Sequence, residues 1–280
     1  MTRPVYTDVA TLSGETATTF DTALQGAGLD YVKESDNNGN TTFKVEQSQY
    51  SDAVLLMGEN QITDDEMTPE SAIVINGDFS FCAGIPNENL LKSIPVRDFM
   101  LIAANNEDWY PMIEHTFGKK AKKTLRYAIK KEPDIFDKEY LKSIVESLDD
   151  DYEIRQFDCE VFELAKKENW SVDLCSQFEN YQDYKERALG VAILHKGQLV
   201  SGASPYAIYK NGIEIEIDTK PEYRKKGLAT VCGAKLILEC LANNIYPSWD
   251  AHDLRSVHLA EKLGYHLSHS YVTYECEFSK

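Results

Sequence analysis

The sequence predicts an α/β fold, and three features of one stretch carry that expectation. Residues 213–219 alternate strictly, with Ile213, Ile215, Ile217 and Thr219 on one side and Glu214, Glu216 and Asp218 on the other. Period-two alternation with β-branched residues is the pattern of a strand buried on one face. Lys220-Pro221-Glu222 ends that strand, since proline has no amide proton to give a ladder. A basic turn follows, Arg224-Lys225-Lys226-Gly227, and then an apolar run at helical spacing: Leu228, Val231, Cys232, Ala234, Ile237, Leu238 and Leu241.

Composition sets the broad class. At 280 residues the chain is long enough for one large or two modest domains, each with a sizeable core. Its 42% apolar and 27% charged residues are ordinary for a globular protein. The net charge of −17 argues against nucleic acid or an anionic membrane as a partner and suits a cationic small molecule. No run approaches the roughly 20 apolar residues of a membrane span. The N-terminal residues lack the apolar core of a signal peptide, so a cytoplasmic location is expected. The six cysteines form no C-x-x-C pair and no His/Cys cluster with zinc spacing, so no metal is expected, and they read as small buried apolar residues.

The N-terminal part is read as an α/β domain over residues 1–150. Residues 23–31 suit a short helix, 36–40 a turn, and 41–45 and 53–57 strands. Ser71-Ala72-Ile73-Val74-Ile75-Asn76 is a strand, Gly77-Asp78 a turn, and 79–83 its hairpin partner. Residues 94–104 continue as strand and loop, and a helix opens at Asp108-Trp109-Tyr110. Lys119, Lys122, Lys123, Arg126 and Lys130 fit the exposed face of a helix broken by Pro133. Residues 137–148 form the next helix, with Leu141, Ile144, Val145 and Leu148 inward. The acidic turn 149–151 marks the expected domain boundary.

The second domain is expected over residues 151–280. It starts with a strand at 152–157, helices at 159–170 and 172–181, and a strand at 190–195. Lys196-Gly197-Gln198 turns into strands over 199–209, and Asn211-Gly212 is a hairpin signal just before the acidic strand. After the long helix, residues 245–250 read as a short strand. Asp253 caps a helix carrying Leu254, Val257, Ala260 and Leu263, Gly264 follows its end, and 271–278 alternate as a terminal strand.

A strand, a glycine-bearing basic turn and a helix start together make an anion site, because the helix's first amides are free and its dipole favours negative charge. Arg224, Gly227 and Ala229 resemble the acyl-CoA signature of the GNAT superfamily of N-acetyltransferases, Arg/Gln-x-x-Gly-x-Gly/Ala. Ala260-Glu261-Lys262-Leu263-Gly264-Tyr265 resembles the second signature of the same superfamily. With Pro247-Ser248-Trp249-Asp250-Ala251-His252, the pair is similar to the zwittermicin A resistance branch. The resemblance is specific over residues 150–278 and looser over 53–150. It implies a mixed, mainly antiparallel sheet flanked by helices, and the hairpin-rich N-terminal part is compatible with a degenerate half of the same fold.

The resemblance also implies roles. Acetyl-CoA is the cosubstrate, its pantetheine arm pairing with the backbone of Ile217, Asp218 and Thr219 and its pyrophosphate resting on Arg224, Lys225, Lys226, Gly227, Leu228, Ala229 and Thr230. Asp253, where the family often has Asn, and Ser256 sit where the arm is held. The family's tyrosine acid, four residues before the second glycine, is here Ala260.

The implied activity is N-acetyl transfer to a primary amine through a ternary complex, with a small-molecule amine acceptor. A free alkylamine is mostly protonated at neutral pH, so a base is needed, and Glu216 and Glu214 on the acidic strand are the candidates. The plainer reading of those carboxylates is a polar strand face. His258 and His252 are candidates for protonating the thiolate, although His258 points away from the Ala260 side of its helix. Two other readings stand beside this one: a non-catalytic acyl-CoA-binding or regulatory module, and a protein N-acetyltransferase.

Overall fold

The computed structural model describes residues 6–13, 31–35, 40–46, 60–64, 70–95, 97–209 and 211–278. The helix expected at 23–31 lies outside these residues except for Tyr31, which begins a strand; the turn at 36–40 lies outside except for Asn40, and the strand at 53–57 lies outside entirely. By their contacts the residues divide into two compact units, Met1–Thr124 with Val272–Lys280, and Leu125–Tyr271. The acidic turn at 149–151, chosen from composition as a boundary, falls inside the second unit.

In the first unit, β1 (Tyr6–Ser13), β2 (Tyr31–Ser35) and β3 (Asn40–Glu46) form an antiparallel sheet in the order β1-β3-β2. A second sheet runs β4 (Asn60–Thr63), β5 (Ser71–Asn76), β6 (Phe79–Gly84) and β7 (Phe99–Ala104), and β7 pairs onward with the end of β15 (Leu267–Glu277). β5 and β6 are the predicted hairpin, turned by Gly77 with a φ of 56°. β6 and β7 are parallel, and a helix absent from the sequence reading, α1 (Glu88–Lys92), makes the crossover. Its start is set by Asn87, whose side chain accepts the Leu90 amide. With α2 (Trp109–Phe117), these strands enclose Ile73, Ile75, Met100, Ile102, Trp109, Ile113 and Tyr274.

Residues 121–129 are a strand, β8, not the predicted basic helix. The helical spacing of the lysines was accidental, because Thr124, Arg126 and Ala128 alternate equally well with Leu125, Tyr127 and Ile129. Backbone pairing of Tyr127 and Ala128 with a strand from later in the chain decides between the two periods. In β8 the chain passes from the first unit into the second.

The second unit is built on a five-stranded sheet in the order β13-β12-β11-β10-β9. β9 (Tyr152–Gln156), β10 (Val191–His195), β11 (Gln198–Tyr209) and β12 (Gly212–Thr219) are antiparallel neighbours. Two left-handed positions close the β10–β11 hairpin, Lys196 and Gly197, and Asn211 turns β11 into β12 with a φ of 65°. Pro205 sits where β11 slips register against β12, at a bulge that needs no amide from it. The chain then runs through α6 (Leu228–Ala242) to β13 (Tyr246–Ser248), which lies parallel to β12.

Both faces of this sheet are covered. On one, Ile213, Ile215, Val191, Ile193 and Val200 pack with α6, with Leu141 of α3 (Lys138–Glu146) and with Val257 and Ala260 of α7 (Leu254–Lys262). On the other, Ala192, Leu194 and Leu199 pack with α4 (Cys159–Ala165), a short 3-10 turn at Val172–Leu174, and α5 (Tyr181–Arg187) around Phe162, Phe178 and Tyr184. The helices predicted at 159–170 and 172–181 are therefore shorter and displaced. Asp158 and Asn180 set the true starts, each accepting first-turn amides. Five of the six cysteines are buried as expected, and Cys159 is exposed.

Gly233 fixes how closely α6 approaches the sheet. A Cβ there would lie 2.7 Å from Leu263 Cδ1 and 3.1 Å from Ile217 Cδ1. Gly233→Val should therefore lower stability by about 1–3 kcal/mol through overpacking, read as a lower urea midpoint at unchanged slope. An unchanged midpoint would show that α6 has room to retreat.

Candidate active site

The site is organised by β12 and by a change of partner beside it. β13 pairs with β12 only over Gly212↔Tyr246, Ile213↔Pro247 and Glu214↔Ser248. Past Ser248 the chain leaves: β14 (Asp250–Ala251) pairs antiparallel with Ala128 and Tyr127 of β8. The predicted single strand at 245–250 is thus two strands with two partners. Arg126 secures the departure, its Nε donating to Asp250 Oδ1 at 2.6 Å, while the Tyr271 hydroxyl donates to Oδ2 at 2.8 Å. Among the described residues, the backbone of 215–219 is paired on the β11 side and open on the other.

The far end of β12 is held firmly. Ser201 Oγ donates to the Asp218 carbonyl at 2.9 Å and lies 2.8 Å from Thr219 Oγ1, and Arg224 Nε donates to the Thr219 carbonyl at 3.2 Å. A 3-10 turn, Pro221–Tyr223, leads into the basic turn. There Lys225 has a φ of 63° and Gly227 of 82°, with Lys226 at a negative φ between them. Alternating hand at successive residues turns amide N–H groups to a common side and makes an anion cradle. Lys225 accepts a left-handed conformation that costs a non-glycine residue about 1 kcal/mol. α1, α3, α4, α5 and α7 are each capped by an Asn or Asp side chain, whereas α6, the longest helix described, begins at Gly227 with no side-chain cap. Its first amides remain free, facing the exposed Arg224, Lys225 and Lys226. A Cβ on Gly227 would meet nothing within 4 Å, so the glycine serves its backbone conformation and leaves open space above the turn.

The acidic face of β12 departs from the expected solvated strand face. Glu214, Glu216 and Asp218 are all partly covered. Leu174 presses on the neighbouring Gly202, which pairs with Asp218. Glu214 Oε1 is sealed from solvent and takes no hydrogen bond. Burial, then the charge of Asp250, pushes the Glu214 carboxyl up to about 8 against the pull of Lys131 and Arg126. Burial and the neighbouring Asp218 and Asp173 push Glu216 up to about 8. Burial and Asp173 push Asp218 up to about 7, with Arg224 opposing.

Four residues that the sequence reading did not assign to the site frame the inner end of this face. The Tyr209 ring lies across Gly212, where a Cβ would sit 2.1 Å from a ring carbon, and its hydroxyl hydrogen-bonds Ser248. Lys131 Nζ stands 4.7 Å from the centre of that ring, and burial lowers its pKa while Glu214 raises it. Arg126 and Asp250 complete the set. The signal that would have found Arg126 was the two-residue alternation of β8.

The remaining predicted residues fall elsewhere. Asp253 is the cap of α7: Oδ1 accepts the Arg255 and Ser256 amides at 2.8 and 3.0 Å, and Oδ2 accepts the Arg255 guanidinium at 2.6 Å. Ser256 Oγ accepts from Trp249 Nε1 at 3.0 Å. Both side chains are therefore engaged in holding the start of α7 and the buried Trp249. His258 is exposed, with Nδ1 against the Leu254 carbonyl of its own helix. Ala260 is fully buried in the core, so that position offers no proton. His252 is exposed and close enough to Asp250 to favour its ionised form. Burial holds the Cys232 and Cys240 thiols at about 12, which removes them as nucleophiles. Among the described residues, no three His, Cys, Asp or Glu side chains are grouped to hold a metal, and no helix is long and apolar enough to cross a membrane.

An open-edged strand, an uncapped helix behind a basic turn and a helix that packs beneath them are the arrangement of an acetyltransferase-type α/β fold. The GNAT acetyltransferase family pattern matches residues 42–274, and the chain belongs to that family. A GCN5-related N-acetyltransferase-like protein from Streptococcus suis is 41% identical, with a TM-score of 0.75 over 79% of this chain and 90% of that one. The uncharacterized N-acetyltransferase YdfB of Bacillus subtilis is 32% identical over 99 residues, which span 35% of this chain and 38% of that relative's length. A GCN5-related N-acetyltransferase from Kribbella flavida, 13% identical with a TM-score of 0.50 over 80% of this chain and 92% of that one, shares the fold.

The buried carboxylates give the protein a pH-dependent stability. Glu214 and Glu216 have folded-state pKa values near 8, above the ordinary carboxylate value of 4.5. The folded state then binds more protons than the unfolded state between those limits, so stability is highest below about 4.5 for this contribution and falls as pH rises toward 8. Glu214→Gln should be more stable than the parent at pH 8 and should flatten that fall, measured by thermal midpoint across pH 5–8. A variant as pH-sensitive as the parent would show that Glu214 ionises freely.

Proposed function

We propose that this protein transfers an acetyl group from acetyl-CoA to a primary amine of a small cationic molecule, in a ternary complex. The observation that carries the reading is the open flank of 215–219 on the strand whose side chains also include Glu216 and Glu214. One strand thus offers backbone to an extended acyl carrier and carboxylates to a nucleophile. The residues fit acetyl-CoA: the free edge at Ile217, Asp218 and Thr219 suits an amide-bearing arm, and the cradle from Arg224 to Thr230 suits a pyrophosphate. When bound, acetyl-CoA supplies the acetyl thioester.

This chain's residues then have distinct tasks. The amides of Gly227, Leu228, Ala229 and Thr230 hold phosphate, and Lys225 and Lys226 add charge. Glu216 lies on the open side of the point where β13 departs, and we assign it as the base that accepts a proton from the acceptor's ammonium. Its raised pKa makes it a stronger base than an ordinary carboxylate. Glu214, one side-chain step inward, supports the same charge. An ammonium acceptor sheds two protons on becoming an amide: one goes to Glu216 and on to solvent, and the other ends on the departing thiol. Ala260 supplies no acid for that second step, and His258 is turned to solvent, so solvent is the assigned donor. Asp253 and Ser256 shape the start of α7 alongside.

We place the protein near the zwittermicin A resistance branch on the strength of its second signature and the preceding Pro-Ser-Trp-Asp-Ala-His segment. A purely binding role would not need carboxylates partly buried along the acyl strand, and this favours catalysis.

Gly227→Glu should weaken acetyl-CoA binding by at least about a hundredfold, since it adds a like charge and strains a left-handed position, as measured by calorimetry. Unchanged affinity would remove the cradle from the account. Glu216→Gln should keep acetyl-CoA affinity and lower kcat for thiol release by roughly 10²–10³. In the parent, kcat/KM should rise with pH and level off near 8, the pKa of the base. A variant with parental kcat would overturn the assignment of Glu216.

A further inference from the structure

We infer that Tyr223 and His195 are positioning residues for diphosphate binding: on the reading that the basic turn seats the acetyl-CoA pyrophosphate, their hydrogen bond holds that turn in its binding shape. Of residues 221–227, Tyr223 alone is not exposed. The Tyr223 amide donates to the Lys220 carbonyl at 2.8 Å, the Arg224 amide to the Pro221 carbonyl at 3.3 Å, and Arg224 Nε to the Thr219 carbonyl. These bonds reach no further than the end of β12. Lys225 meanwhile keeps a left-handed φ that a side chain disfavours. Such a conformation persists where its surroundings over-determine it.

Tyr223 supplies the tie from outside the turn. Its hydroxyl hydrogen-bonds His195 Nδ1 at 2.8 Å. His195 ends β10, where it pairs with Tyr152 of β9 on one side and Gln198 of β11 on the other, so it is a fixed post. The Tyr152 ring packs against both partners, its centre 5.1 Å from that of His195 and 6.4 Å from that of Tyr223. Its plane stands at 83° to Tyr223, the edge-to-face geometry that aromatic pairs prefer. Over the Tyr223 ring, Lys226 Nζ lies 4.8 Å from the centre. Lys226 is exposed, so attraction of its ammonium to the ring, and not confinement, accounts for that place. One phenol therefore ties the turn to the sheet through its hydroxyl and tethers a lysine of the turn through its face.

Packing alone would be met by phenylalanine, so the hydroxyl has a task that packing does not explain. A turn already in its binding shape avoids the ordering entropy that a mobile turn would lose when a ligand arrives. Removing the bond should loosen residues 224–230 and leave the pairing of β11 with β12 as it is. Affinity for a diphosphate should then fall while the fold persists.

The test is calorimetric titration of the full chain with CoA, together with amide hydrogen exchange of the ligand-free protein. Tyr223→Phe keeps the ring for Tyr152 and Lys226 and removes the hydroxyl. His195→Leu removes its partner, and His195→Asn returns a polar atom close to the place of Nδ1. Tyr223→Phe and His195→Leu should each weaken CoA binding about fivefold, equivalent to about 1 kcal/mol, the net worth of one hydrogen bond. Both should speed exchange at residues 224–230 and leave the β11 amides at parental rates, and His195→Asn should bind CoA as the parent does. Parental affinity in both Tyr223→Phe and His195→Leu, exchange that rises equally along β11, or an Asn variant as weak as the Leu variant would each overturn the inference. Gly227→Glu separates it from the reading beneath it. CoA bound alike by the parent and Gly227→Glu defeats the pyrophosphate reading, while faster exchange at 224–230 in Tyr223→Phe would still show that the pair holds the turn. Loss of CoA in Gly227→Glu with parental binding in Tyr223→Phe and His195→Leu does the reverse.

Discussion

The ion pair between Arg126 and Asp250 is the interaction on which the rest of the site depends. It draws the chain away from β12 just after Ser248 and onto β8, with the Tyr271 hydroxyl as a second tether. A parallel strand that simply continued would have filled the flank of 215–219 with backbone partners. Because it leaves, a strand in the interior of a sheet keeps an edge, a feature that folded proteins ordinarily cover or blunt. The pair is largely buried, and burial raises the Asp250 carboxyl while Arg126 and Tyr271 hold it down. Loss of either partner leaves a buried charge uncompensated, typically at a cost of about 3–5 kcal/mol.

Around this opening the two faces of β12 do separate jobs. Ile213, Ile215 and Ile217 anchor the strand to α6, and Gly233 lets the helix come close enough to present its free N-terminus beyond Thr219. The opposite face carries the carboxylates under the segment that follows α4. The strand's alternation therefore joins an uncapped helix start to a row of partly buried carboxylates through one rigid element. That coupling explains why backbone strain at Lys225 and poorly compensated carboxylates coexist in a well-packed unit.

Much of this was legible in the sequence because local chemistry and tertiary structure agree. The alternation of 213–219, the Asn211-Gly212 turn, the glycine at 227 and the cap at Asp253 all stand where residue chemistry places them. Where the reading failed, a long-range partner decided. Residues 121–129 satisfy both a helical and a strand period, and pairing with strands more than a hundred residues later, Asp250 and Ala251 among them, selects the strand. For the same reason Arg126 looked like a solvated lysine-rich face and not the anchor of the opening. The break at Trp249 was invisible because nothing in 245–250 reports a change of neighbour. The depth of the acidic face was misjudged because the covering turn at 172–174 was read as part of a helix.

The central claim is that the flank of 215–219 and the start of α6 form one continuous ligand surface. Amide hydrogen exchange with and without acetyl-CoA tests it most directly, because it reads backbone protection residue by residue. The account predicts new protection at residues 215–219 and at 227–230, with β9 and β10 unchanged. Saturation with acetyl-CoA that protects other segments and leaves both of these as they were would contradict it.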